Sequence, residues 1–304
     1  GDPNGLSSEI PTIAQFYQKN GYQTYFSGKW HLGDVEKFYP INVGFDEMKQ
    51  FAAYYPGVYG YEDLSPNAHP FFPKYNKEYW EMYQKTVNRY EWEGTAGKPA
   101  VKGNGGAVIT LENLADFDVR QTESAVAYIK QHAKDGKPFF MSVNFMGMHQ
   151  PTSPNKAFVG KSRLGNYSDK MLEMDYNIGR IMDAIRAEAP DTIVIHTADN
   201  GAWQDAWPDA GTNPFRGEKG TGFEGAFRVP GIMWAPGRIP AGQVLYEMMS
   251  HMDVWPTTAT MVGLTPPPHG EWKDNNGKAI YFDGIDNTAY VTGKAKHSAR
   301  NGWI

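Results

Sequence analysis

Thr192-Ile193-Val194-Ile195-His196-Thr197, followed almost at once by Asp199-Asn200-Gly201, is the stretch whose reading decides the rest of the chain. A β-branched run of this kind predicts a strand buried on both faces. Two oxygen-bearing side chains then stand at its C-terminal end, where open α/β sheets usually hold their ligands. Beyond a loop with little secondary-structure signal comes Phe215-Arg216-Gly217-Glu218-Lys219-Gly220-Thr221-Gly222-Phe223-Glu224-Gly225, then Arg228-Val229-Pro230. The clustered glycines permit a tight backbone path, and Lys219 in their midst could meet an anion.

Working outward from that strand, Tyr167 to Ala187 carries Met171, Met174, Ile178, Ile181, Met182 and Ile185 at helical spacing, with Pro190 as its stop. This predicts a helix whose methionines belong to the core. Phe139 to Phe145 predicts a strand, and Asp116 to Ala133 a helix with Val119, Val126, Ile129 and Ala133 along one side. Pro11 to Asn20 predicts a short helix with Pro11 in its first turn and Gly21 as its stop, and Gln23 to Phe26 a strand. Downstream, Gly231 to Trp234 predicts a strand and Ser250 to Gly263 a helix with Asp253 in its first turn. Beyond Pro268 the chain reads as polar loop to Ile304, apart from pieces such as Ala279 to Phe282. Residues from about 51 to 106 are rich in Tyr, Trp, Pro and Gly without steady periodicity, which predicts a long elaborated loop or subdomain over one end of the sheet. The alternation of strands and helices places the chain in the α/β class.

Composition narrows the chemistry. At 304 residues with net charge −5, the chain can bury a large core, as one big α/β domain or two smaller ones, and it offers no basic stripe for nucleic acid. The absence of cysteine rules out disulfides, thiolate metal sites and a cysteine nucleophile within these residues, and says nothing about compartment. No apolar run reaches membrane-spanning length, and Gly1-Asp2-Pro3-Asn4-Gly5 is neither a signal peptide nor a basic targeting segment. Asn166-Tyr167-Ser168 matches a glycosylation acceptor, a triplet too common to carry weight.

The polar candidates share one kind of position. Ser27-Gly28-Lys29-Trp30-His31-Leu32-Gly33-Asp34 follows the first strand, and Lys29 and His31 point the same way in extended geometry. Met148-His149-Gln150-Pro151 follows the Phe139 strand. Lys29, His31, His149, Asp199, Asn200 and Lys219 thus lie in or just after strand-to-loop junctions, which gather at one sheet edge if the strands are parallel. Two lysines would bind a multiply charged oxyanion, histidines could transfer protons, and the Asp-Asn pair suits a hard cation such as calcium. Together they describe an anion-cleaving hydrolase. A two-histidine, one-carboxylate site of His31, His149 and Asp199 for iron or zinc is a rival, although it leaves the lysines unexplained and Asn200 idle. A phosphatase uses the same lysines.

Gly21-Tyr22-Gln23-Thr24 through Gly28-Lys29-Trp30-His31-Leu32-Gly33 closely resembles the second signature of the sulfatase family. Thr197-Ala198-Asp199-Asn200-Gly201, Arg216-Gly217-Glu218-Lys219-Gly220-Thr221, Glu224-Gly225-Ala226-Phe227-Arg228-Val229-Pro230 and Ser250-His251-Met252-Asp253-Val254-Trp255-Pro256-Thr257 look like its later blocks, in order. The likeness extends over most of the chain and is weakest over residues 51–106. It implies an alkaline-phosphatase-like α/β fold, with a largely parallel or mixed central sheet and helices on both faces, and hydrolysis of small-molecule or carbohydrate sulfate esters. Asp199 and Asn200 would be two calcium ligands. Lys29 would stabilise the oxygens of the nucleophile, and His31 would take a proton as the sulfated intermediate collapses. His149 and Lys219 would hold the sulfate, one of them assisting the leaving group. The family nucleophile is a hydrated formylglycine, made from the first residue of Cys/Ser-x-Pro-x-Arg.

The chain departs from that pattern. It has no cysteine, no serine followed by x-Pro, and none of the paired aspartates that complete the family's calcium site. Calcium takes six to eight oxygens, so Asp199 and Asn200 cannot hold it alone. The expectation is therefore an internal portion of a sulfatase: residues 1–264 part of the catalytic domain, 265–304 the start of the C-terminal region. The missing calcium ligands and the formylglycine are expected upstream of Gly1. A remnant that binds anions without catalysis, or a phosphate or phosphonate esterase of the same superfamily, are the alternatives. A periplasmic or secreted setting is the family expectation, a cytoplasmic one the alternative.

Overall fold

The computed structural model describes residues 5–7, 9–53, 90–204, 209–266, 272–273 and 277–302. The chain divides into two compact units, Gly1–Glu188 with Asn200–Arg228, and Ala189–Asp199 with Val229–Ile304.

In the first unit, helix α1 (Ile13–Lys19) starts at Thr12, not at Pro11. The Thr12 hydroxyl accepts the Gln15 N–H and the Gln15 side chain accepts the Thr12 N–H, a reciprocal cap that proline cannot form. Strand β1 (Gln23–Lys29) runs on past the predicted end at Phe26. It lies at the heart of a five-stranded sheet. Its neighbours β2 (Glu47–Ala52) and β5 (Phe139–Asn144) are both parallel to it, and β3 (Trp92–Thr95) and β4 (Val101–Lys102) extend the sheet antiparallel beyond β2. The sheet is thus mixed. Two short strands occupy part of the stretch expected to be an elaborated loop or subdomain, where a Cβ added to Gly94 would stand 2.9 Å from Ile41, so that β3 presses onto the core. The remainder of that expectation, residues 54–89, lies outside the described residues.

Helices cover both faces, because β1 alternates. Phe26 packs with Ala14 of α1, Phe45, Met48 and Phe51 on one side, and Tyr25 packs with Ala125 and Tyr128 of α3 (Phe117–His132) on the other. Burying residues such as Phe26 and Phe51 stabilises the fold by about 1.5–3 kcal/mol each. A short helix α2 (Leu111–Leu114), capped by Thr110, leads into α3.

Helix α4 (Asn166–Glu188) spans the predicted segment but turns a different face inward. Met171 and Leu172 are each 43% exposed, whereas Asp169, Lys170, Glu173 and Asn177 are buried. The expectation that Met171 is core is therefore wrong. Apolar periodicity marks the right helix, but in its first half ion pairing decides the interior.

The second unit holds β6 (Val194–Thr197), which is half-buried with an exposed end and pairs antiparallel with β7 (Gly231–Trp234) in a sheet of its own. This corrects the reading of a strand buried on both faces. A β-branched run reports extended backbone and partial burial, but not which strand will pair with it. A second small antiparallel pair joins β8 (Trp272–Lys273) and β9 (Ala279–Ile280). The predicted Ser250 helix opens as a 3-10 turn (His251–Asp253) capped by Ser250 and continues as α5 (Val254–Met261). Helix α6 (Thr288–Val291) follows. The centre of the unit is polar. Asp253 is fully buried and accepts two bonds from Arg300, at 2.6 and 2.8 Å, besides the Ser250 and Ile285 N–H groups.

Burial pushes the Asp253 pKa up, but the Arg300 hydrogen bonds, the two amides and the guanidinium charge outweigh it and hold the carboxyl below its ordinary 3.8. A folded pKa below the unfolded one means that the pair's stability is complete above that ordinary value and is lost as pH falls through the folded one. Asp253→Asn is expected to cost about 3–5 kcal/mol at neutral pH by leaving Arg300 buried without its counter-charge. It should also flatten the acid limb of stability, read as urea midpoints between about pH 6 and pH 2.

Candidate functional site

The parallel pairing of β1 and β5 puts their C-terminal ends side by side, with Gly28 opposite Asn144. Lys29, the last residue of β1, accepts a hydrogen bond at its carbonyl oxygen from the Asn144 Nδ2 at 2.9 Å. This close approach depends on Gly28. Its φ is +100°, and a Cβ there would stand 1.8 Å from the Asn144 oxygen and 2.5 Å from Gln121 Nε2. Two residues on, His31 is exposed and held in the left-handed region at φ 60°, with its N–H bonded to the Ala53 oxygen at 2.9 Å. Lys29 and His31 both lie at the C-terminal end of β1, but the chain is not extended between them, so the premise that their side chains point the same way does not hold.

From Asn144 the chain reaches His149 in five residues. Met148 has φ 73°, and the His149 Nδ1 lies 2.7 Å from the Gln150 oxygen. The His149 ring meets Trp203 edge to face, with centroids 6.0 Å apart, and the Lys219 ammonium lies 5.2 Å from the centroid of the same Trp203 ring. The structure therefore gathers His149 and Lys219 on one indole. The Lys219 N–H also bonds to the Ala202 oxygen at 3.1 Å, which ties the lysine loop back to the residues after Asn200.

That loop is glycine-rich for specific reasons. Gly217 and Gly220 have φ of 82° and 88°. Gly225 is needed for close approach, since a Cβ on it would meet the Gly217 oxygen at 2.0 Å, and one on Gly201 would meet the Gly225 oxygen at 1.8 Å. Gly222 has open space around it and an ordinary φ. Three cation–ring contacts stiffen the same stretch, Lys219 with Trp203, Arg216 with Phe223 and Arg228 with Phe215.

Asp199 closes the stretch belonging to the second unit and Asn200 resumes the first. The exposed Asp199 carboxylate takes no hydrogen bond among the described residues. The Asn200 Nδ2 donates to the Gly201 oxygen at 3.0 Å, leaving its Oδ1 as the available ligand atom. A carboxylate and an amide oxygen without competing donors fit a hard cation, as two of the ligands it needs. Among the described residues no group of three or more His, Asp or Glu side chains is placed to hold a metal ion.

Two residues of this region had no sequence signal. Asn144 is one polar residue within a predicted strand, and Trp203 stands in a loop without periodicity.

The sulfatase family model matches residues 2–264. The chain belongs to the sulfatase family. It is 34% identical over 267 residues to N-acetylgalactosamine-6-sulfatase of Homo sapiens, covering 86% of the chain and 47% of that protein. To arylsulfatase G of Mus musculus it is 29% identical over 308 residues, covering 97% and 56%. The chain spans about half the length of the curated relatives it matches. Among solved structures, the PsFucS1 sulfatase from Pseudoalteromonas sp. superposes with TM-score 0.82 at 26% identity, covering 96% of this chain and 57% of that one. The chain thus has the fold of that sulfatase, with the mixed sheet and helices on both faces expected from the sequence.

Gly225→Ala should destabilise the lysine loop by about 1–3 kcal/mol through overpacking, whereas Gly222→Ala should stay within about 0.5 kcal/mol. Denaturant midpoints and limited proteolysis within residues 200–228 compare the two variants.

Proposed function

We propose that the full-length protein carrying this chain hydrolyses sulfate esters, with carbohydrate sulfates as the first class to test. The observation that carries this reading is the convergence of His149 and Lys219 on Trp203, in a chain of sulfatase family. An ammonium and an imidazole gathered at one indole suit a negatively charged oxyanion. Relatives named for a sugar sulfatase activity support the substrate class.

In this reading Lys219 and His149 bind the sulfate oxygens, and His149 gives a proton to the departing alkoxide as the S–O bond breaks. Lys29, fixed through its carbonyl by Asn144, steadies the nucleophile's oxygens, and His31 takes the proton that releases sulfate. The nucleophile is a formylglycine hydrate from chain outside these 304 residues, which contain no cysteine and no serine followed by x-Pro. Asp199 and Asn200 would supply two ligands to a calcium ion, which would draw charge from the sulfate oxygens. A periplasmic or secreted setting accompanies the proposal. Among the described residues no helix is long and apolar enough to cross a membrane.

In the full-length protein, Lys219→Ala is expected to lower kcat/KM for an aryl sulfate by about 100-fold or more, the scale of losing one positioned charge-stabilising group. A change of only a few-fold overturns its role as an anion clamp. The matched phosphate ester, run beside the sulfate, reads superfamily specificity: faster phosphate turnover replaces the sulfatase reading with the phosphatase one. Asp199→Ala should remove calcium binding, followed by calorimetry, together with activation by added calcium. Retention of both overturns its ligand role.

A further inference from the structure

The buried polar face of α4 lies beneath the His149 loop. Lys170 Nζ is 2.9 Å from an Asp118 carboxylate oxygen and 2.9 Å from a Glu173 carboxylate oxygen, in side chains 4%, 1% and 0% exposed. The two carboxylates hold opposite ends of one loop. Asp118 accepts the Met146 and Gly147 N–H groups at 2.8 and 3.0 Å, and Glu173 accepts the Asn155 N–H at 2.7 Å. Lys170 also lines a small cavity with Leu114, Met148, His149 and Ser153. Gly147 leaves no slack, since a Cβ on it would fall 2.9 Å from both the Asp118 carboxylate and the Lys170 Cε.

We propose that Lys170 is a positioning residue for His149: it ties the carboxylates that clamp the two ends of the loop Met146–Asn155, and so fixes where the imidazole stands. This rests on the sulfate-ester reading of His149. A buried ion triad is a costly way to stabilise a helix packing, since apolar residues of similar volume usually do as well or better. Here α4 exposes Met171 and Leu172 while burying Lys170 and Glu173, and both carboxylates also accept backbone N–H groups of this one loop. Burial works against the Lys170 ammonium, but Asp118 and Glu173 outweigh it and hold its pKa above the ordinary lysine value. The lysine is therefore a buried cation, paired with two carboxylates, that acts through the loop backbone.

The test uses the full-length protein and six forms: wild type, Lys170→Met and Lys170→Met/Glu173→Gln, and His149→Ala alone and with each of those two changes. Lys170→Met leaves two carboxylates facing each other and is expected to lower kcat/KM for an aryl sulfate about 100-fold, the scale of a misplaced catalytic group. The double change removes one charge and should restore activity to within tenfold of wild type. On His149→Ala, Lys170→Met should cost less than threefold, because its effect passes through the missing imidazole. Hydrogen exchange of the Met146 and Gly147 amides, which needs no turnover, should quicken at least tenfold in Lys170→Met and slow again in the double variant. A loss that multiplies in full with that of His149→Ala, or Lys170→Met activity within threefold of wild type, overturns the proposal. If Lys170→Met does not fold, the double variant carries the same cycle, and a loss independent of His149 overturns it. Wild-type protein that turns over no sulfate ester, while exchange behaves as expected, overturns the sulfatase reading and leaves the loop clamp standing.

Discussion

Three pieces of backbone and side chain meet at Gly28, and no other residue would let them. The β1 turn at positive φ, the Asn144 carbonyl of β5 and the Gln121 amide of α3 all come within the space that a single Cβ would fill. Gln121, fully buried, donates to the Ser27 oxygen at 3.0 Å and locks α3 onto the strand at the same point. The parallel pairing of β1 with β5 is thereby fixed in register up to its last residue. Lys29 and the loop leading to His149 leave the sheet from adjacent positions because of it.

The same economy of space recurs around the lysine loop, where Gly201 rests on Gly225 and Gly225 on Gly217. Both units also use charged groups inside. Asp253 with Arg300 orders one, and Asp118, Lys170 and Glu173 order part of the other. Such pairs contribute little net stability over apolar packing, yet they are strict about geometry, because a displaced partner leaves an uncompensated buried charge. A site that must hold several side chains at fixed separations benefits from that strictness more than from extra stability.

Much of the architecture was legible in the sequence. The strands from Gln23 and Phe139 and the helices from Asp116 and Tyr167 follow from period and punctuation, which are local properties. The candidate lysines and histidines stood out because they cluster after strands and within blocks resembling one family. Pairing was not legible: β6 looks like a buried parallel strand because its residues suit extended backbone, and its antiparallel partner β7 lies more than thirty residues away. The inward face of α4 was misread for a related reason. Hydrophobic spacing assumes that water and oil divide the helix, and a lysine between two carboxylates breaks that assumption. Asn144 and Trp203 gave no signal, since each matters only for what the fold brings beside it.

The position of β1 in the sheet also bears on how the protein is made. Its two flanks close very differently: β2 follows within some twenty residues, while the Lys29 to Asn144 bond spans 115 residues of chain. At ribosomal rates of about 5–20 residues per second, β1 waits roughly 6 to 23 seconds for its second neighbour. During that interval one edge of the central strand stays open in the nascent chain, and a chaperone or a neighbouring polypeptide can reach it before β5 does.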